Sequence, residues 1–206
     1  MEIRLRLMSN KLPFYHLIRK STLENIPSPL LIMVHGYGSN EKDLFSFSRA
    51  IPENFTIISL RGDIEFQYNE YAWYNIFWDY NGVKSYDIEK AKKSRDNILK
   101  SLDICKDLYE IDPDNITLMG FSQGAMLVNA VALTYPEKIN NIISLSGAFD
   151  PYIINLSNSK YLKKLSFYIS HGLNDEILPF DFSKKSLKIL DDNNKSMLNW
   201  LIEKTN

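Results

Sequence analysis

The chain has 206 residues, and its 24 Lys and Arg balance 25 Asp and Glu to a net charge of −1 at pH 7. That length fits one α/β domain with a sizeable core, and a near-neutral chain without a block of Lys or Arg argues against nucleic acid and against an anionic membrane surface. No apolar run is long enough to span a bilayer, and Met1-Glu2-Ile3-Arg4-Leu5-Arg6-Leu7 alternates charged and apolar where a signal peptide would be continuously apolar.

The elements alternate between strand-like and helix-like. Residues 14–18 read as an early strand. Leu30-Leu31-Ile32-Met33-Val34 is a continuous apolar run, the pattern of a central parallel strand covered on both faces. A third strand is expected over 56–60. The aromatic stretch 66–80 follows, with Phe66, Tyr68, Tyr71, Trp73, Tyr74, Phe77, Trp78 and Tyr80. Most of these are expected in the core, and the stretch as a whole reads as a flap over the site. A long helix is expected from about 87 to 108. It contains Cys105, the only cysteine, which reads as a small buried apolar residue and excludes an internal disulfide. A strand over 115–119, a helix over 125–135 and strands over 141–145 and 166–169 come next. Helices over about 182–190 and 196–203 close the chain. This rhythm implies a largely parallel sheet with helices on both faces, and a cytoplasmic location is the default.

Gly120-Phe121-Ser122-Gln123-Gly124 falls between the expected strand 115–119 and the helix after it. A G-x-S-x-G at such a junction is a nucleophile elbow: the chain must reverse within a few residues, and Gly120 and Gly124 leave room for strand and helix to pass closely. It names a reaction type, acyl transfer through Ser122. Such a serine needs an oxyanion hole, an acid and a base. His35-Gly36-Tyr37-Gly38 directly follows the strand 30–34. Its glycines let N–H groups turn inward, so the oxyanion donors are assigned to the backbone N–H of Tyr37 and of Gln123. His35 is expected to brace that loop. The acid is assigned to Asp175, on a loop at the carboxyl end of strand 166–169, where sites form in open α/β sheets. Asp150 is the competing acid.

These residues resemble the phospholipase/carboxylesterase group of α/β-hydrolases, which includes acyl-protein thioesterases and bacterial carboxylesterases. The resemblance rests on His35-Gly36-Tyr37-Gly38, Ala72-Trp73-Tyr74, Gly120-Phe121-Ser122-Gln123-Gly124-Ala125, Leu145-Ser146-Gly147 and His171-Gly172 through Asp175 to Pro179. These occur in the family's order over about residues 30 to 180. It implies an α/β-hydrolase fold across 1–206 as a single domain, and hydrolysis of carboxylic esters or thioesters with no cofactor or metal. The expected partner is a small-molecule ester substrate, without nucleic acid or stable membrane insertion. Trp73 and Tyr74 match the family's aromatic pair and are the candidates for the acyl-pocket wall.

One part departs from that pattern. The family's catalytic His follows the acid after one more strand, and no histidine follows Asp175. Asp191-Asp192-Asn193-Asn194 runs directly into Lys195-Ser196-Met197-Leu198, so the last strand and its His-bearing loop, about 15–25 residues by usual sizes, are absent from the sequence. His16 lies too far upstream and His171 sits at a strand end. Two expectations follow. Either a segment is left out between Asp192 and Ser196, at Asn194–Lys195 for preference, where adjacent Cα atoms would then lie well beyond the usual 3.8 Å or so. Or the protein lacks its base and is a non-catalytic ligand-binding relative. A lactone or C–C hydrolase with the same nucleophile is the remaining alternative.

Overall fold

The computed structural model describes residues 12–81, 84–156 and 160–193. The segment Met1–Leu7, the expected helix 196–203 and the joint at Asn194–Lys195 lie outside the described residues.

The order begins β1 (His16–Arg19), β2 (Ser28–Val34), α1 (Glu41–Phe45), a 3-10 turn (Ser46–Ala50) and β3 (Thr56–Leu60). Two small hairpins follow, β4 (Ile64–Gln67) with β5 (Glu70–Ala72) and β6 (Ile76–Trp78) with β7 (Lys84–Tyr86). Then come α2 (Ile88–Leu108), β8 (Ile111–Phe121), α3 (Gln123–Thr134), β9 (Asn141–Leu145), β10 (Ser166–Ser170) and α4 (Phe180–Asn193). Among the described residues, six strands form one sheet in the order β1-β3-β2-β8-β9-β10. Of these, β1 runs antiparallel to its neighbour and the other pairings are parallel. This is the largely parallel sheet that the sequence implies.

β2 shows why a central strand reads as an unbroken apolar run. Leu30, Ile32 and Val34 join one core beneath α2 and α3, while Leu31 and Met33 join a second with Leu44 and Ile57 on the opposite face. Both faces are covered, so alternation would bury polar groups without partners. α2 follows its sequence pattern. Asp87 caps it by accepting from Lys90 N at 2.9 Å, and Ala91, Ile98, Leu102 and Cys105 turn one stripe into the core.

Two segments differ from expectation. β8 begins at Ile111, before Pro113, and not at 115. Its pairing with β2 shifts register between Ser28 and Leu30, whose partners are Ile111 and Ile116. The ladder is irregular there, which is where a residue without an N–H is tolerated. The stretch 66–80, expected as a flap over the site with most of its aromatics in the core, contributes to the two hairpins and leaves five of those aromatics exposed.

Candidate active site

The carboxyl ends of β2, β8 and β10 bring three sequence-predicted loops to one edge of the sheet. The loop after β2 carries His35 to Gly38, the junction after β8 carries Ser122, and the loop after β10 carries Asp175. This is the edge at which parallel α/β sheets form sites.

Ser122 is half-buried and has φ 50°, ψ −115°, a left-handed conformation that a residue with a side chain adopts only where its surroundings hold it. Two main-chain bonds do so: Ser122 N–H donates to Leu145 O on β9 at 2.9 Å, and Ser122 O accepts from Met126 N at 3.1 Å. The flanking glycines are required by space. A Cβ at Gly120 would lie 2.5 Å from Gly124 O, and one at Gly124 would lie 2.1 Å from Val34 O. The same closeness presses the first turn of α3 against the loop after β2.

That loop is fixed from several sides. His35 is buried. Its Nδ1–H donates to Gly36 O at 2.7 Å and its Nε2 accepts from Gly62 N at 3.0 Å, which sets a neutral tautomer. Burial pushes its pKa down, the Gly36 bond opposing. Gly38, at φ +80°, donates to Tyr71 O at 3.0 Å, and Tyr71 N–H returns to Ser39 O at 2.9 Å. Behind Tyr71 lies a feature that sequence reading missed. Arg61 forms a two-point bond with the buried Glu41, Nε to Oε2 at 2.5 Å and Nη2 to Oε1 at 2.7 Å, between the rings of Tyr15 and Tyr71. The signal was an Arg and a Gly directly after an apolar strand, too common to single out. Among the described residues, the N–H groups of Tyr37 and Gln123 have no protein partner. The ring of Tyr37 is exposed and stacks on Phe66 with centroids 4.9 Å apart.

The structure sets Trp73 and Tyr74 differently from the pocket wall expected of them. Both are buried in the core, Trp73 at 0% exposure between His35 and the edge of Phe14. Both rings join the main core cluster, the Tyr74 hydroxyl reaches Met126 Sδ at 3.7 Å on the first turn of α3, and the main chain of the pair meets the elbow through Gln123. Trp73 N–H donates to Gln123 Oε1 at 3.0 Å, and Gln123 Nε2 donates to Tyr74 O at 2.9 Å. The exposed aromatics of this stretch are Phe66, Tyr68, Phe77, Trp78 and Tyr80.

Asp175 Oδ1 closes its own loop by accepting from Ile177 N at 3.0 Å and Leu178 N at 2.8 Å. His171 braces the same loop. Its Nε2–H donates to Leu178 O at 2.7 Å and its Nδ1 takes the Ser183 hydroxyl from α4 at 2.5 Å. Its 3.5 Å approach to Asp175 Oδ2 is therefore secondary, since the ring proton is already directed at Leu178. His16 lies buried on β1 with Nδ1 against Phe14 O at 3.3 Å. Asp150 has both oxygens engaged, Oδ2 by the Tyr86 hydroxyl and Oδ1 by Tyr152 N at 2.9 Å. Burial first, and then the bond to Asp150, push the Tyr86 phenol well up. Among the described residues no three His, Cys, Asp or Glu side chains gather as a metal site, and no helix is long and apolar enough to cross a membrane.

Comparison with known proteins fits this geometry. A family model described as phospholipase/carboxylesterase matches residues 22–203. Acyl-protein thioesterase 1 of Emericella nidulans is 29% identical over 184 residues, covering 77% of this chain and 74% of that protein. Acyl-protein thioesterase 1 of Aspergillus fumigatus is 34% identical over a shorter 117 residues, covering 50% of this chain and 47% of that protein. The fold is shared with the Bacillus cereus carboxylesterase, at TM-score 0.78 and 21% identity over 98% of this chain and 89% of that one. It is also shared with Zea mays acyl-protein thioesterase 2, at TM-score 0.68 and 16% identity over 94% and 90%. With the family model spanning nearly the whole sequence and the elbow, the glycine loop and the acid loop at one sheet edge, the chain belongs to the phospholipase/carboxylesterase family of α/β-hydrolases.

Proposed function

We propose that Ser122 is the nucleophile of this serine hydrolase, forming an acyl-enzyme with a carboxylic ester or thioester. The observation that carries this is the left-handed Ser122 at the β8–α3 turn, at the same sheet edge as the N–H groups of Tyr37 and Gln123, which have no protein partner among the described residues. Ser122 Oγ gives up its proton to a base and bonds to the substrate carbonyl carbon. The carbonyl oxygen takes the electron pair, and the N–H groups of Tyr37 and Gln123 stabilise the resulting oxyanion. When the oxyanion collapses, the bond to the alcohol or thiol breaks and the leaving group takes the proton. Water then repeats the sequence on the acyl-serine, releasing the acid and restoring Ser122. Asp175 is the group that orients the base, through Oδ2, which accepts none of the loop's N–H bonds and meets only the 3.5 Å approach of His171 among the described residues.

The base itself is not one of the histidines in this sequence. His16, His35 and His171 are all buried and hydrogen-bonded within other parts of the fold. Relatives named acyl-protein thioesterases favour a thioester substrate on a protein, and the lone buried Cys105 supports a cytoplasmic location.

The test pairs hydrolysis of p-nitrophenyl butyrate and of an S-acylated peptide with fluorophosphonate labelling. Ser122→Ala is expected to abolish all three while leaving thermal melting unchanged. Retained turnover in that variant refutes the nucleophile. Added imidazole, a diffusible base, is expected to raise turnover of the 206-residue chain and not of Ser122→Ala. Loss of a triad His costs up to about a millionfold, so a rate already at full value without imidazole would place a base among residues assigned here to the scaffold.

A further inference from the structure

Trp73 makes three polar links, each to a different element. Its indole Nε1–H donates to His35 O at 2.8 Å, just ahead of Gly36 and Tyr37. Its backbone N–H holds Gln123 Oε1 at 3.0 Å, while the next carbonyl, Tyr74 O, holds Gln123 Nε2 at 2.9 Å. Its own carbonyl accepts from Ser94 Oγ on α2 at 2.7 Å. Gln123 is 3% exposed, so this one segment satisfies its amide in place of water. One residue pair upstream, Tyr71 forms the two-way main-chain bridge to Gly38 and Ser39. The backbone from 71 to 74 thus joins both segments that carry an unpartnered N–H, the loop after β2 and the first turn of α3.

We infer that Trp73 is a positioning residue of the oxyanion hole, fixing the Tyr37 and Gln123 N–H groups relative to each other, and that it does not contact the acyl group. The inference rests on the reading of Ser122 as nucleophile. Its physical basis is that an oxyanion donor contributes only if it is aimed before charge develops. The loop after β2 has glycines at 36 and 38, and glycine leaves the backbone free unless other bonds hold it. A buried indole N–H is a short, directional tether with no water competing for the His35 carbonyl. The substrate carbonyl is held less by the hole than the tetrahedral oxyanion is, so a slackened hole lowers kcat and leaves KM in place.

Two substitutions test it through different links. Trp73→Phe keeps a ring and both backbone bonds and removes the indole N–H. Gln123→Met keeps the length and the backbone N–H and removes the amide pair. Each is assayed, with imidazole added as the base, for turnover of p-nitrophenyl butyrate, for affinity toward phenylboronic acid, whose Ser122 adduct is tetrahedral and anionic, and toward butyrate, a planar carboxylate that forms no adduct. Thermal melting is recorded alongside. The expected result is a fall in kcat of about 10- to 100-fold in each. Boronic acid affinity falls by the same factor, while KM and butyrate affinity stay within about twofold. The double variant is no worse than about the poorer single, because both act on one hole. A folded Trp73→Phe with unchanged kcat, or with butyrate affinity falling as far as boronic acid affinity, overturns the inference. If Trp73→Phe does not fold, Gln123→Met carries the same readouts and the same refutation. If the wild type neither turns over nor binds boronic acid, it is the nucleophile reading that fails. The positioning role is then read from amide hydrogen exchange at Gly38 and Tyr71, whose N–H groups form the main-chain bridge to the oxyanion loop. Faster exchange in Gln123→Met or a folded Trp73→Phe supports it, and unchanged exchange in both overturns it.

Discussion

Replacing Gly124 by Ala adds one methyl group where the structure leaves no room for it. The new Cβ would lie 2.1 Å from Val34 O, 2.5 Å from His35 O and 2.7 Å from Val34 C. A close carbon–oxygen contact is about 3.3 Å, so about 1 Å of separation must be found. It cannot come from a side chain, because every obstructing atom belongs to the backbone at the end of β2, a strand hydrogen-bonded on both sides to β3 and β8. α3 must retreat instead. Overpacking of this kind costs about 1–3 kcal/mol and more against rigid neighbours, partly offset by the roughly 1 kcal/mol that Ala gains over Gly in a helix. The expected net loss is about 2 kcal/mol, read as a lower guanidinium midpoint at constant slope. The retreating turn carries Gln123 and follows Ser122, so an ångström of displacement is expected to lower kcat about a hundredfold. Gly172→Ala is the control, because its Cβ meets only Asp175 Cβ at 4.0 Å, and it should stay within about 0.5 kcal/mol of wild type. A Gly124→Ala protein as stable as wild type would mean that helix and strand are not in the contact described.

Glu41→Gln removes the carboxylate that pairs with Arg61. Breaking a buried pair from one side costs about 3–5 kcal/mol, but Arg61 is 24% exposed, so about 2–3 kcal/mol is expected in denaturant unfolding, and a loss below about 0.5 would show that water screens the pair. Thermal melting should fall in two steps as pH drops. Burial lowers the His35 and His16 pKa values from 6.5, so the stability given by their neutral forms is present above that value and erodes below it. Burial raises Glu41, but the bonds and charge of Arg61 outweigh it and leave the carboxyl below its ordinary value, so that contribution holds further into acid and is lost as pH falls through the depressed value. A melting temperature flat from pH 7 to 5 would contradict the histidine step. Burial pushes the Cys105 thiol up to about 12, so Ellman's reagent should leave the folded protein untouched at pH 8 and react only on unfolding; fast reaction with folded protein would contradict the burial of α2's inner face.

The sequence reading reached the sheet because the strands carry their burial in their composition. Thr56–Leu60 and Ser28–Val34 are buried along their whole length and mostly apolar, as they are covered on both faces, and the elbow announced itself by two glycines that steric contact requires. The hairpins β4–β5 and β6–β7 were not legible. Their residues, among them Phe77, Trp78 and Lys84, are largely exposed and alternate with no single buried face, so periodicity had nothing to report. The surroundings of Trp73 were hidden for a related reason. An aromatic side chain near a site invites a reading as a wall for an apolar ligand, whereas this ring is buried and its polar links run through main-chain atoms and one ring N–H, which composition does not encode. Glu41 and Arg61 are twenty positions apart, and only the fold sets them against each other.

The acid loop follows the same logic as the oxyanion loop. Asp175 is held chiefly by its own loop, with the His171 ring 3.5 Å from its Oδ2. Its Oδ1 is satisfied by Ile177 N and Leu178 N, and Leu178 O is in turn held by His171, whose other nitrogen is anchored through Ser183 to α4. The carboxylate is therefore oriented by its own loop, and Oδ2 is the oxygen left to face a base. If Asp175 and the two N–H groups serve as proposed, they are set by the main-chain bonds of Tyr71 on β5, the Gln123 amide on α3 and the Ser183 hydroxyl on α4. On that proposal a base needs only to be delivered to a geometry already formed, and that is why imidazole supplied from solution tests it.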